Sequence, residues 1–436
     1  MAHLAELGPA ARPLEARGPG SVPLPGWPLI ALLGWFPLWW ILGAADLIWM
    51  PIALVMALYM VNAGRIRVPR GFAIWLLFLA WMLASGVMVD TGNHVITFAY
   101  RAAVYASATV FFLYVYNSRA TLTSRRVCGV LTMYWLWTVV GGFLGMLLPS
   151  ATFETPMFHV LLHFSESIPD NEFVNRILVR RFAEFNPDSY LGVAPRPSAP
   201  FLYANNWGNV YSLLLPFVIA YLISVRGTRR FWFLVAALVA SPIPAFLTLN
   251  RGMLIGLAIA AVYVGSRLAA RGRLLPLVLI AVCAVVAVLV FNAVAASRLE
   301  TRLQGGGTDT RASLYRQSLD LVPTSPVFGL GVPPTSKDPN APPVGTQGQF
   351  WMVLVSHGPV ATVAFLGWFG WAWFAGRRRR DVVGMAATTV LLVSIVELGF
   401  YGVLPYGLPI MMIAAALSLR GEDGVPVHPR NGQAPT

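Results

Sequence analysis

Long, uninterrupted runs of apolar residues constrain the fold of this 436-residue chain more than any other feature. The runs are about 15–27 residues long, which is the length of a membrane-spanning helix. Because lipid offers the backbone no hydrogen-bond partners, only helices and closed barrels cross a membrane, and a barrel requires alternating apolar and polar residues. The hydrophobic fraction of 57% and the charged fraction of 11% also exclude an ordinary soluble protein. The sequence therefore predicts an all-α polytopic membrane protein.

The positions of turn residues and charges divide the apolar runs into about twelve transmembrane helices. The predicted helices are 27–44, 46–62, 71–88, 95–116, 127–148, 207–225, 231–249, 252–266, 274–297, 349–375, 382–401 and 405–419. They form a predicted transmembrane domain over residues 27–420. Residues 1–26 are predicted to be a disordered cytoplasmic tail and residues 421–436 a second cytoplasmic tail.

The arginines indicate the orientation of these helices. If the N-terminus is cytoplasmic, five short loops face the cytoplasm, and they contain sixteen arginines, three in each of four loops and four in the fifth. These loops are 63–70, 117–126, 226–230, 267–273 and 376–381. Such a bias is typical of cytoplasmic loops in the inner membrane. The net charge of +13 is thereby explained without a nucleic-acid partner, and membrane lipids are the expected surroundings.

Two long hydrophilic loops, 149–206 and 298–348, then face the outside, where we expect them to form the cap of an active site. Within the first loop, residues 172–185 place apolar side chains at helical spacing beside three arginines. This pattern predicts an interfacial helix that meets lipid headgroups or a lipid-linked anion. The alternative is a packed helix with a solvated basic face.

Four arginines on the outer side, Arg196, Arg251, Arg311 and Arg101, suggest an anion site. Guanidinium groups suit phosphate, and a diphosphate joined to a lipid is the natural anion at this boundary. No acidic triplet that would bind Mg²⁺ is evident, so we expect a reaction without metal or other cofactor. Glu397, inside a predicted span, is expected to pair with Arg101 or with Arg251; the alternative is that each charge reaches the interface separately.

Three segments resemble the bacterial O-antigen ligase/O-antigen polymerase superfamily. They are Arg196-Pro-Ser-Ala-Pro-Phe201 with Asn205-Asn206, Asn250-Arg251-Gly252, and Asp309-Thr-Arg311 followed by Leu314-Tyr315 and Pro326-Val-Phe-Gly329-Leu-Gly331. The last segment is the most specific, and the similarity extends over roughly residues 70–420.

The resemblance implies a GT-C-like membrane enzyme, a metal-independent glycosyltransferase on the outer face of the cytoplasmic membrane. The donor would be an undecaprenyl-diphosphate-linked oligosaccharide, and the acceptor a lipid A core for a ligase or another glycan for a polymerase. Arg251 and Arg311 would bind the diphosphate and act in catalysis. The other candidate substrate-binding residues are Arg196, Asn206, Arg101, Tyr315, Arg316, Asp309 and Glu397.

Gln347 is a departure from the ligase pattern, because ligases usually have the presumed activator of the acceptor hydroxyl, a histidine, at this position. Glutamine can orient a hydroxyl group but cannot take its proton. His357 lies ten residues later and is a poor substitute; Asp309, Glu166, His159 and His163 are further candidates for the base. A polymerase, another type of ligase, a lipid-glycan exporter and a non-catalytic assembly subunit therefore stay open.

Overall fold

The computed structural model describes residues 23–90, 92–164, 172–184, 195–273, 307–337 and 341–421, together with scattered positions between 278 and 292. Most of these residues are helical, as the apolar runs predict. The helices of the first half are α1 (Trp27–Gly34), α2 (Phe36–Leu42), α3 (Trp49–Ala63), α4 (Phe72–Ala84), α5 (Gly92–Asn117), α6 (Ser124–Leu147), α7 (Pro156–Phe164), α8 (Glu172–Leu178) and α9 (Ala204–Ser224). The later helices are α10 (Arg229–Ala240), α11 (Pro242–Leu247), α12 (Arg251–Ala269), α13 (Gly307–Leu321), α14 (Gln349–Gly376), α15 (Val382–Glu397) and α16 (Gly407–Leu419).

Six helical segments are long and apolar enough to cross a membrane: α5, α6, α9, α10 with α11, α12 and α14. Four shorter apolar segments, in α3, α4, α15 and α16, accompany them. A helical membrane protein is thereby confirmed, whereas the count of twelve spans stays a prediction. Much of the predicted span 274–297 and both predicted tails, apart from residues 23–26 and 421, lie outside the described residues.

Prolines divide three of the predicted spans. The span 27–44 consists of α1 and α2, which are separated at Trp35, and Pro37 is the second residue of α2. The span 231–249 likewise breaks at Ser241, just before Pro242, and the span 349–375 breaks at Gly358, just before Pro359. A proline ring clashes with the carbonyl four residues earlier and removes one N–H donor, so a continuous helix is disfavoured there.

Close contact between α6 and the segment leading to α9 depends on small residues. A side chain at Gly141 would overlap the carbonyl of Ala199, and one at Gly145 would lie 2.5 Å from the Phe182 carbonyl oxygen. The indole of Trp207 donates to the Thr138 carbonyl at 2.8 Å. Because apolar burial does not drive association between helices in lipid, such close packing and hydrogen bonding stabilise the bundle.

The arginine-containing loops lie together at one end of the bundle, which we call the arginine end. Arg267 donates to the carbonyl oxygens of Arg377 and Arg379, each at 2.6 Å. The Arg67 amide donates to Asn117 at 2.8 Å, so the loops flanking α4 and α5 also meet here. Residues 23–26, which the sequence assigns to the tail, pack at this end, and the Leu24 carbonyl accepts from Thr121.

The opposite end, which we call the cap end, carries two small strand pairs. β1 (Thr152–Glu154) pairs antiparallel with β2 (Val179–Arg181), and β3 (Ala183–Glu184) pairs with β4 (Arg196–Pro197). The prediction of one interfacial helix over 172–185 is therefore wrong, because the helix ends at Leu178. Pairing with a strand distant in the sequence outweighs the local helical pattern, and Ile177 and Leu178 pack against Phe158 in a small second core.

A buried ion pair fastens this cap to the bundle. Arg180 of β2 donates to the Asp46 carboxylate at 2.9 Å, and both side chains are about 1–2% exposed. Tyr406, just before α16, donates to the other oxygen of the same carboxylate. The sequence places Asp46 in a tight turn but contains no local signal for this pair.

Candidate active site

Tyr401 lies at the centre of the cap end, where α15 continues for one further turn. Its amide donates to the Glu397 carbonyl at 2.9 Å, so the two side chains share one helical face. Both side chains pack against α12. A Cβ atom at Gly252 would lie 2.9 Å from the Tyr401 hydroxyl, and one at Gly256 would overlap the Glu397 carboxylate. These two glycines, four residues apart, form a groove that receives Tyr401 and Glu397.

Arg251 and Arg311 approach the Tyr401 region from two different elements: Arg251 adjoins Gly252, which faces the Tyr401 hydroxyl, and the Arg311 charge acts on Tyr401. Arg251 is the first residue of α12, directly before the glycine groove, and its side chain is exposed. Arg311 is the fifth residue of α13, close enough for its charge to act on both Tyr401 and Arg196. Neither guanidinium forms an ion pair or hydrogen bond within the described part of the chain. Sixty residues of sequence separate these two arginines.

Arg196 has a different environment from these two arginines. It is 4% exposed and donates to the Thr248 carbonyl at 2.7 Å, to Asn250 at 3.1 Å and to Glu184 at 3.3 Å. A longer bond of 3.3 Å reaches Asn205. Burial lowers the pKa of Arg196, and the neighbouring Glu184 carboxylate counteracts this shift. Since all three guanidinium nitrogens donate to protein acceptors, Arg196 stabilises the scaffold rather than binding a ligand.

Two partners of Arg196 have structural roles that the sequence did not reveal. The Glu184 carboxylate accepts from the Ala204 amide at 3.1 Å, which satisfies the start of α9. Asn250 donates to the Ala204 carbonyl at 2.5 Å and thus ties the start of α12 to α9. The network therefore positions Arg251. Neighbouring Asn206, a predicted binding residue, is half-buried at the beginning of α9.

Glu397 does not form either of the predicted ion pairs in the described structure. Its carboxylate is fully buried and accepts from Asn209 of α9 at 2.8 Å, while its second oxygen has no hydrogen-bond partner among the described residues. The glycine groove explains the difference, because it draws the side chain into the bundle, away from Arg101 and Arg251. Glu397 thus lies beneath the site.

Arg101 lies on another side of the α14 start. Its neighbours on the same face of α5, Phe98 and Tyr105, both contact the ring of His357, with centroids 6.1 and 6.5 Å apart. One of its guanidinium nitrogens is buried and has no acceptor in the part of the chain that the structure describes. His357 in turn shares a 2.7 Å hydrogen bond with Ser85.

The start of α14 positions the candidate residue Gln347, which is half-buried in the preceding loop. Gln349, which the sequence did not single out, is fully buried. It donates to the Tyr105 hydroxyl at 2.6 Å, accepts from the Val403 amide at 3.2 Å, and its own amide donates to the Tyr401 carbonyl at 2.7 Å. Gln349 therefore connects α5 to the segment that contains Tyr401.

α13 is attached to α14 by aromatic stacking. The Tyr315 and Trp351 rings stack with centroids 4.6 Å apart, and this contact orients the α13 face that carries Arg311. Burial raises the pKa of Tyr315, and the Arg311 charge counteracts the shift. Arg316 points to solvent. Asp309 belongs to the first turn of α13, but its side chain lies outside the described part.

The Pro326–Gly331 motif contacts a break in α14. The break lies at Gly358, whose φ of 80° is left-handed, and Pro359 follows it. The amides of Leu330 and Gly331 donate to the Val355 and Ser356 carbonyls at 2.9 and 2.8 Å. A side chain at Gly329 would lie 2.6 Å from the Val355 carbonyl oxygen, so the glycine of the motif permits this close backbone contact.

This geometry unites the Asn250-Arg251-Gly252 segment, α13 and the α14 start, and a family comparison covers all three. Residues 236–366 match the O-antigen ligase family. The predicted resemblance to the O-antigen ligase/polymerase superfamily is thereby confirmed, and it supports a membrane glycan-processing function. The matched O-antigen ligase region contains Arg251, Arg311, Tyr315, Arg316 and Gln347, whereas the other candidates with described side chains lie outside it. A search of curated proteins found no match.

None of the remaining candidates for the general base has a clear catalytic role in the described structure. His159 in α7 is exposed and lies 3.5 Å from the Glu154 carboxylate, and His163 is near the end of the same helix. Glu166 lies outside the described residues. Among the residues that the structure describes, no group of three or more His, Cys, Asp or Glu side chains could bind a metal ion.

Proposed function

We propose that this protein is a metal-independent glycosyltransferase that uses a lipid-diphosphate-linked oligosaccharide as its donor. One observation supports this proposal above all: Arg251 adjoins the glycine that faces Tyr401, the Arg311 charge acts on Tyr401, and neither arginine has a carboxylate partner in the described structure. Two unpaired guanidinium groups at the end of a membrane bundle suit an anion that arrives on a lipid. A diphosphate offers enough oxygen atoms for both groups.

The reaction follows from this placement. The acceptor hydroxyl attacks the anomeric carbon of the donor, a new glycosidic bond forms, and the bond to the diphosphate oxygen breaks. The leaving lipid diphosphate takes the electron pair, and Arg251 and Arg311 stabilise its charge. Gln347 orients the hydroxyl through its amide oxygen, and because glutamine cannot take a proton, that proton passes to solvent.

The other predicted residues have two kinds of role in this proposal, contact with the substrate and positioning of the site. Tyr315, Arg316, Asn206 and Arg101 are candidates for contact with the glycan or its lipid phosphate. Arg196 and Glu397 position the site, since their polar groups face the scaffold. The arginine end would face the cytoplasm, and the cap end would face the extracytoplasmic side of the inner membrane. The acceptor would be a glycan or a glycolipid.

The test is an assay of the purified protein with a synthetic polyprenyl-diphosphate oligosaccharide, followed by mass spectrometry of the products. Arg251→Gln and Arg311→Gln should each lower the transfer rate by about 100-fold or more, since one group that stabilises a developing anion contributes that much. Arg226→Gln, at the arginine end, is the matched control and should stay within about twofold of the parent.

Several outcomes separate this proposal from its alternatives. Transfer that survives the loss of both Arg251 and Arg311, at normal protein levels, would contradict it. Movement of donor across vesicles without new glycosidic bonds would indicate an exporter, and loss of activity in a chelator would contradict metal independence. Extended glycan chains would indicate a polymerase, whereas a glycosylated lipid would indicate a ligase.

A further inference from the structure

A groove of about 530 Å³ opens on the side of the bundle at the arginine end, remote from Tyr401. It lies between α1, α6 and α9, and Arg230 at the start of α10 completes its rim. The groove shares no residue with the candidate active site, which lies at the opposite end of α9. Its occupant must therefore be identified from its own lining.

Three arginines line one end of this groove, and no carboxylate lines any part of it. Arg125 and Arg126 are in the first turn of α6, and both are exposed. Arg126 donates to the Thr121 carbonyl at 3.0 Å, whereas Arg125 and Arg230 have no acceptor within the described residues. Cations in the first turn of a helix oppose the helix dipole, so a bound anion would stabilise this arrangement.

The rest of the groove is apolar and runs toward the middle of the bundle. From Thr123 to Met133 the lining follows ten residues of α6, which is a rise of about 15 Å. Ile30 and Trp35 form the facing wall, and Trp35 is 57% exposed where α1 gives way to α2. The break at Trp35 therefore leaves a large apolar surface open beside the groove.

We propose that this groove binds one anionic phospholipid of the leaflet at the arginine end. Arg125, Arg126 and Arg230 bind the phosphate, and an acyl chain lies along Ile30, Trp35 and Met133. A soluble anion would use only the charged end of the groove. A zwitterionic lipid would bring its own positively charged group toward the three arginines. An anionic lipid matches both the charge and the apolar length.

Native mass spectrometry of the delipidated full chain in detergent tests this assignment with two probes, phosphatidylglycerol and phosphatidylcholine. We expect at least tenfold tighter binding of phosphatidylglycerol. The triple variant Arg125→Gln, Arg126→Gln, Arg230→Gln should lose this preference. The control triple Arg65→Gln, Arg67→Gln, Arg70→Gln removes the same charge at the same end and should retain it. Equal loss in both triples would overturn the site.

A second variant fills the apolar part of the groove and keeps every charge. A Cβ atom at Gly34 meets only the Ile30 side chain, at 3.6 Å, so Gly34→Leu has room for its side chain in the groove. It should weaken phosphatidylglycerol binding by about tenfold while size-exclusion behaviour stays normal. Unchanged binding would exclude a seated acyl chain. Because both readouts measure lipid binding, their failure is independent of the glycosyltransferase proposal.

Discussion

The two ends of the bundle use arginine differently, although Arg420 at the arginine end is also buried and donates to the Val115 and Leu122 carbonyls. At the arginine end, Arg267 donates to the carbonyl oxygens of a neighbouring loop, and most other arginines are exposed. At the cap end, Arg180 and Arg196 are almost completely buried and bound to carboxylates, and Arg196 also binds Asn250, the residue before the exposed Arg251. Residue type alone therefore does not identify a functional arginine; burial and partners separate a solvated charge, a structural charge and a charge that is available to a ligand.

The strongest test of this comparison is the buried pair at the cap end. Asp46→Asn leaves Arg180 buried without a charged partner and should lower the free energy of unfolding by roughly 3–5 kcal/mol. Mixed-micelle denaturation provides the measurement. The double variant Asp46→Leu, Arg180→Met should recover much of this loss, because it removes both charges. If Asp46→Asn were as stable as the parent, the Arg180 charge would be solvated, like most of the charges at the arginine end.

The glycine groove provides the next test. Gly256→Leu would force Glu397 and α12 apart, since even a Cβ atom overlaps the carboxylate. We expect about 100-fold slower transfer, because a displacement of about 1 Å at a positioned group has effects of that size. Gly370→Leu in α14 is the control, since a Cβ atom there meets nothing within 4 Å. Equal effects of both substitutions would argue against a positioning role.

Gln347→His tests whether the cap end lacks only a proton acceptor. The variant should acquire a rate that rises with pH through about 6.5, where a histidine becomes neutral, and a gain of roughly tenfold above that pH. The rate of the parent should show no such rise with pH, since glutamine does not titrate. The pH–rate profile is the measurement, with Gln347→Asn as the control. The absence of such a rise in Gln347→His would place residue 347 away from the acceptor hydroxyl.

The smallest effect is expected at the arginine end. Burial alone would raise the pKa of Asp381, but hydrogen bonds from Arg379 and the Gly384 amide outweigh it and lower the pKa below its usual 3.8. The charged form is thus favoured in the folded state, and its stabilisation is present above pH 3.8 and lost as pH falls below it. Asp381→Asn should reduce the free energy of unfolding by at most about 1 kcal/mol at pH 7. The difference should shrink near pH 3 when stability is measured at both values.

The sequence predicted the helices well because lipid leaves the backbone one local solution. The predicted spans 71–88 and 349–375 lie within a few residues of the observed α4 with its 3₁₀ turn and α14. The short strands of the cap were missed, since Val179–Arg181 pairs with Thr152–Glu154 across 24 residues of intervening chain. A helical pattern in a window of fourteen residues contains no information about such a distant partner.

The residues of the candidate site also divide into those that a local motif predicts and those that depend on distant contacts. Arg251 and Arg311 were predicted from their local motifs; the Arg311 charge acts on Tyr401, and Arg251 precedes Gly252, which faces the Tyr401 hydroxyl. Gln349, Glu184 and the pair Asp46–Arg180 could not be predicted, because each depends on contacts between distant segments. The sequence by itself determined a helical membrane bundle with its cations gathered in short loops, since hydrophobic length and charge are local properties. Only the tertiary structure decided which arginines are bound by the scaffold and which are free for a ligand, because hydrogen-bond partners and burial depend on how the helices pack.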